Sequence, residues 1–74
     1  MPFVNVKTIK GALTDEEKKQ VVERITDVMV DIEGRGNANF RQFVWVLLEE
    51  EQAPNWGIGG QQVSMEALES ARSQ

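Results

Sequence analysis

The second residue of this chain is a proline, Pro2, directly behind Met1; its plainer role is to permit methionine removal and start an edge strand, but it can also carry chemistry. A small second residue favours removal of the initiator methionine, and that removal would leave Pro2 with a free secondary amine. Such an amine can take a proton from a carbon next to a carbonyl, provided its pKa lies near the working pH. Apolar surroundings penalise the ammonium form and move the pKa in that direction. The ring also fixes the direction of the lone pair, so little positional entropy is lost on reaction. With Met1 retained, the same nitrogen is a tertiary amide and has no basic lone pair.

Few other residues have comparable chemical potential. The chain contains no cysteine and no histidine. That excludes disulfides, thiol nucleophiles, imidazole bases and Cys/His metal sites, and no metal or cofactor is expected. Glu49-Glu50-Glu51 could activate a water, although a charged strand end is the commoner meaning of such a run. Lys7, Lys10, Arg35 and Arg41 could each hold a carboxylate, yet solvated surface charge is the ordinary state of these residue types. Gly57, Gly59 and Gly60 are not followed by Lys-Ser/Thr, so they serve a hairpin better than a phosphate loop.

Four elements must position this chemistry. The run Phe3-Val4-Asn5-Val6-Lys7-Thr8-Ile9 predicts a strand, with Val4, Val6 and Thr8 on one face and Phe3, Asn5, Lys7 and Ile9 on the other. Lys10 to Leu13 form a connection turned by Gly11. Thr14-Asp15-Glu16-Glu17 has the form of a capping box with acidic residues in the first turn. From there Val21, Val22, Ile25, Val28, Met29 and Ile32 predict one apolar stripe on a helix of about five turns, ended by Gly34 and Gly36. Phe43 to Leu48 predict a second strand covered on both faces, because its apolar residues do not alternate with polar ones. Residues 54–60 are rich in turn formers, and 65–72 suit a short terminal helix.

Strand, helix, strand in this order implies a right-handed crossover and a parallel pair. The expected class is α/β (α+β): a small βαβ subunit with one main helix and a C-terminal hairpin segment, in one domain over residues 1–74. One helix covers one face of such a sheet, so the other needs a second protein layer. A chain of 74 residues also buries too little surface to be robust alone. Self-association is therefore expected. The net charge of −4 argues against nucleic acid as a partner. No apolar run approaches the roughly 20 residues of a membrane span, and a secretory signal is not evident, so a cytoplasmic protein is expected.

Two segments carry a family resemblance. Met1-Pro2-Phe3-Val4-Asn5-Val6 resembles the opening of 4-oxalocrotonate tautomerase-like proteins, and Asn55-Trp56-Gly57-Ile58-Gly59-Gly60 resembles their late glycine-rich hairpin. The resemblance covers about residues 2–64. It implies catalysis by the Pro2 amine in a homo-oligomer, a hexamer or else a dimer or trimer. The implied reaction moves a proton between carbons of a small enol or 2-keto acid, 2-hydroxymuconate-like or phenylpyruvate-like. Trp56 matches the family's active-site aromatic; its alternative role is packing at a turn or interface. Where the namesake enzyme has two substrate-binding arginines, this chain has Ala12 or Leu13 and Trp45. Lys10, Arg35 and Arg41 are the substitutes near in sequence, and in an extended chain Arg41 would share strand parity with Trp45 at about 13 Å. Two other functions remain open on these residues. One is a hydratase or dehalogenase using protonated Pro2 as an acid beside a carboxylate. The other is a non-catalytic oligomeric binding protein of the same fold.

Overall fold

In the computed structural model, which describes residues 1–73, the alternating segment Phe3–Ile9 forms β1. Thr14 then caps helix α1, Asp15–Ile32, through a complete capping box. The Thr14 hydroxyl accepts from the Glu17 N–H at 3.1 Å, and the Glu17 carboxylate accepts from the Thr14 N–H at 2.8 Å. These bonds to Thr14 hold the Glu17 carboxyl below its ordinary pKa, because they favour the ionised acceptor. After α1 come a 3-10 turn at Ala38–Phe43, strand β2 at Trp45–Glu51, a second 3-10 turn at Ala53–Asn55, the short strands β3 (Gly57–Ile58) and β4 (Gln61–Gln62), and helix α2, Met65–Arg72.

The β1–β2 pair is parallel, as the crossover rule requires. Phe3 stands opposite Trp45, Asn5 opposite Leu47 and Lys7 opposite Glu49. Val4, Val6, Val46 and Leu48 face α1 and are half-buried. Lys18 of α1 reaches across to Glu50 of β2 at 2.6 Å, tying helix to sheet, and this bond raises the lysine pKa. The hairpin β3–β4 turns through Gly59 and Gly60, both at positive φ. That is the geometry of a tight two-residue hairpin turn, which glycine adopts without steric cost.

Three details differ from the sequence expectation. The second strand begins at Trp45, not Phe43, and runs on to Glu51. Asn37 caps the preceding 3-10 turn by accepting from the Asn39 N–H at 2.9 Å. Phe40 and Phe43, three residues apart, fall on one side of that turn with ring centroids 6.2 Å apart. Arg41 therefore lies in this turn and has no strand parity with Trp45. The helix end also differs: the residue in the left-handed region directly after Gly34 is Arg35, at φ 52, followed by Gly36 at φ 79. Lastly, the inner face of α1 includes Thr26, which is buried with its hydroxyl donating to the Val22 carbonyl at 2.7 Å. Val28 and Ile32 of the expected stripe instead face outward.

A single chain has little interior. Among the described residues only Ala12 and Thr26 are buried. The radius of gyration is 15.2 Å, against about 11 Å for a compact chain of this length. The sheet face opposite α1 leaves Phe3, Trp45 and Leu47 open at 61%, 62% and 45% exposure.

Candidate active site

Parallel pairing sets the N-terminal ends of β1 and β2 side by side. Pro2, one residue before β1, is thereby brought next to Trp45, the first residue of β2. The Trp45 N–H donates to the Pro2 carbonyl at 3.1 Å, which anchors the proline's position. Met1, Pro2, Phe3, Phe43 and Trp45 together line an open hollow of about 180 Å³. None of these five side chains carries a charge. Phe43 reaches the hollow because Phe40 packs on the end of α1 at Gly34; a Cβ at Gly34 would lie 2.8 Å from Phe40 atoms.

The N-terminal amino group of Met1 lies 3.8 Å from a Glu33 carboxylate oxygen. Glu33 is thus an acidic residue beside the N-terminus that sequence spacing did not single out. Glu49 and Glu51, by contrast, stand about 13 and 20 Å along β2 from Trp45. Glu49 accepts from the Asn5 amide and faces Lys7 across the sheet.

Of the other expected site residues, two lie at the far end of the sheet. The Trp56 indole N–H donates to the Glu51 carbonyl at 3.3 Å, and the Lys10 N–H donates to that same oxygen at 2.8 Å. Lys10 and Trp56 are therefore neighbours at the C-terminal end of the sheet, about 20 Å along β2 from Trp45. A further cation belongs to this end: Arg72 of α2 donates to the Ala12 carbonyl and lies 3.6 Å from Glu69. No sequence signal tied Arg72 to the β1–α1 loop, since 60 residues separate it from Ala12. Arg41 is ion-paired with Asp27 of α1 at 2.7 Å. Arg35 is exposed in the turn after α1. No cluster of three or more metal-ligating side chains occurs among the described residues.

Comparison with known proteins agrees with this architecture. Residues 2–66 match the family model described as tautomerase enzyme. The chain belongs to the tautomerase family. It is an isomerase of the 4-oxalocrotonate tautomerase type, with the small α+β fold of that family. It is 39% identical over 64 residues to the Dickeya dadantii protein named "Probable tautomerase K2", covering 86% of this chain and 90% of that one. It is 38% identical over 60 residues to the 2-hydroxymuconate tautomerase of Pseudomonas putida, covering 81% and 87%. Among solved structures, a 4-oxalocrotonate tautomerase isozyme from Methylibium petroleiphilum superposes with a TM-score of 0.68 at 36% identity, covering 90% of this chain and 97% of that one.

Proposed function

We propose that this tautomerase converts a small enol or 2-keto acid, 2-hydroxymuconate-like or phenylpyruvate-like, with the amine of Pro2 as general base once Met1 is removed. The observation that carries the reading is the setting of Pro2: anchored through its carbonyl to Trp45 and walled by uncharged side chains. With a simple enol acid the amine takes the enol O–H proton, the C–O bond becomes C=O as the C=C electrons move to the adjacent carbon, and the prolyl ammonium returns the proton there. With a dienol acid the amine removes a proton from the carbon next to the carbonyl of the keto form and returns it to a carbon further along the conjugated system, so the proton moves between carbons. In both cases only double bonds shift, and no atom is gained or lost. The apolar lining disfavours the ammonium and so keeps the amine available as a base.

The working unit is a homo-oligomer. Phe3, Trp45 and Leu47 form an uncovered apolar face, and so large an exposed apolar area is normally closed by another protein surface. A neighbouring copy with its sheet running in the opposite direction would bring its own Lys10, Trp56 and Arg72 toward Pro2. In that arrangement the neighbour contributes the cation for the substrate carboxylate and an aromatic wall. A hexamer, as the family resemblance implies, is the proposed assembly.

The test compares a homogeneous preparation lacking Met1, established by mass spectrometry, with one that retains it. Enol-acid ketonisation should be lower in the retained form by about a hundredfold or more, the scale of losing a general base. Equal activity in both would rule out the Pro2 mechanism.

A further inference from the structure

We propose that Arg72 is a positioning residue for the isomerase reaction: from the C-terminal helix α2 it clasps the β1–α1 turn and so fixes the placement of Lys10. This rests on the reading that this end of the sheet faces the Pro2 of a neighbouring copy.

The backbone defines the turn. The Ala12 N–H donates to the Ile9 carbonyl at 3.0 Å, closing a four-residue turn from Ile9 to Ala12. Gly11, its third residue, has φ 92, a value that favours glycine at that position. The Lys10 N–H is tied to the Glu51 carbonyl at 2.8 Å.

Helix α2 supplies a second hold on the same turn. Met65, Leu68 and Arg72 are spaced i, i+3 and i+7, so they share one helix face. Within α2 only Met65 and Leu68 are half-buried. The Met65 methyl carbon lies 4.0 Å from the position that a Cβ on Gly11 would take. Two helical turns later the Arg72 guanidinium donates to the Ala12 carbonyl. One face of α2 thus grips two successive residues of the turn, and Ala12 is buried. Most of α2 lies past residue 66, where the family match ends, so the grip comes from the chain's C-terminal segment.

A helix of eight residues is marginal by itself, so α2 depends on these contacts as much as the turn does. Arg72 makes the strongest of them, because a charged donor gives a stronger hydrogen bond than a neutral one. Glu69, 3.6 Å away, steadies the guanidinium. Committed to Ala12 and Glu69, Arg72 acts through the turn. Lys10 makes no ion pair among the described residues and is the cation left for a ligand. Fixing its backbone removes positional freedom that binding would otherwise have to take up.

The experiment uses the Met1-processed protein. Hydrogen exchange at the Ala12 amide, followed by NMR without substrate, reads opening of the turn. Arg72→Gln should speed it by about tenfold, the scale of one hydrogen bond from a charged donor, with amides in the middle of α1 unchanged. KM for phenylenolpyruvate should rise by about the same tenfold factor, with kcat little altered. Met65→Ala loosens the same turn with every charge in place, so it should shift exchange and KM in the same direction. It also decides the matter if Arg72→Gln does not fold. Unchanged Ala12 exchange in a folded Arg72→Gln would overturn the clasp, and if KM still rose, Arg72 would be meeting the substrate directly. A silent Met65→Ala would overturn it too. Faster exchange with an unmoved KM in both variants would instead overturn the reading beneath, that this end of the sheet faces a neighbour's Pro2.

Discussion

Replacing Gly34 by alanine should destabilise the protein, although Gly34 does not have the positive φ that would itself require glycine. A Cβ built on Gly34 would meet the Val30 carbonyl oxygen at 2.6 Å and two Phe40 atoms, Cβ and Cδ2, at 2.8 Å. Each distance is too short to persist. The Val30 oxygen belongs to helix backbone and accepts the Gly36 N–H at 3.0 Å, so it does not move freely. Phe40 is the part that yields, and it carries the 3-10 turn that ends at Phe43. Overpacking of this kind costs about 1–3 kcal/mol. The opposing gain from restricting the unfolded chain is only about 0.4–1 kcal/mol. The clash therefore wins, with a net loss of about 1–2 kcal/mol. In a chain of this size each kcal/mol corresponds to a fall of about 4–8 °C in Tm. Thermal and urea unfolding at one fixed protein concentration would report it, since assembly and stability are linked. Displacing Phe40 should also disturb the Phe43 wall, so KM for an apolar enol acid should rise while the far end of the sheet is untouched. Adding Phe40→Ala to the Gly34→Ala background should cost less than Phe40→Ala alone, because the Cδ2 contact is then removed, although alanine keeps the Cβ contact. A variant as stable as wild type, or more so, with unchanged KM would refute the close approach.

Thr14→Ala should cost about 1 kcal/mol by removing half of the capping box, read from the urea midpoint at constant m-value. Glu17 has a folded pKa below its ordinary 4.5, so its contribution is present above that value and is lost as pH falls through the depressed one. The stability difference between wild type and Glu17→Gln should accordingly shrink under acid conditions. Leu47→Lys places a charge on the uncovered sheet face and should shift sedimentation at micromolar concentration toward smaller species; an unchanged oligomer would mean that another face is the interface. Neutralising Lys10 or Arg72 should raise KM for an enol acid more than it alters the unfolding midpoint, whereas Arg41→Gln should leave KM unchanged, because Arg41 is tied to Asp27.

Local patterns determined the elements of this protein. Alternation in Phe3–Ile9, the Thr14–Glu17 box and the paired glycines 59 and 60 each state a conformation within a few residues, and the structure follows them. Strand, helix, strand order then determines parallel pairing through chirality alone. The uncovered face was legible for the same reason, since one helix has only one sheet face to cover. The reading failed where two patterns overlapped. Phe43 adjoins an apolar run and looks like strand, but its spacing from Phe40 and the Asn37 cap favour a 3-10 turn.

What only the tertiary structure decided is which side chains share an end of the sheet. Pro2 and Trp45 meet because Phe3 and Trp45 are in register, a pairing across more than 40 residues that no local pattern encodes. Lys10 and Trp56 are brought together, and away from Pro2 in the same chain, by their shared bond to the Glu51 carbonyl. Arg72 enters that end through α2, and Glu33 reaches the N-terminus through the last turn of α1. Sequence spacing specifies the direction of a side chain along its own element. Long-range register, which depends on the packing of whole elements, decides its neighbours.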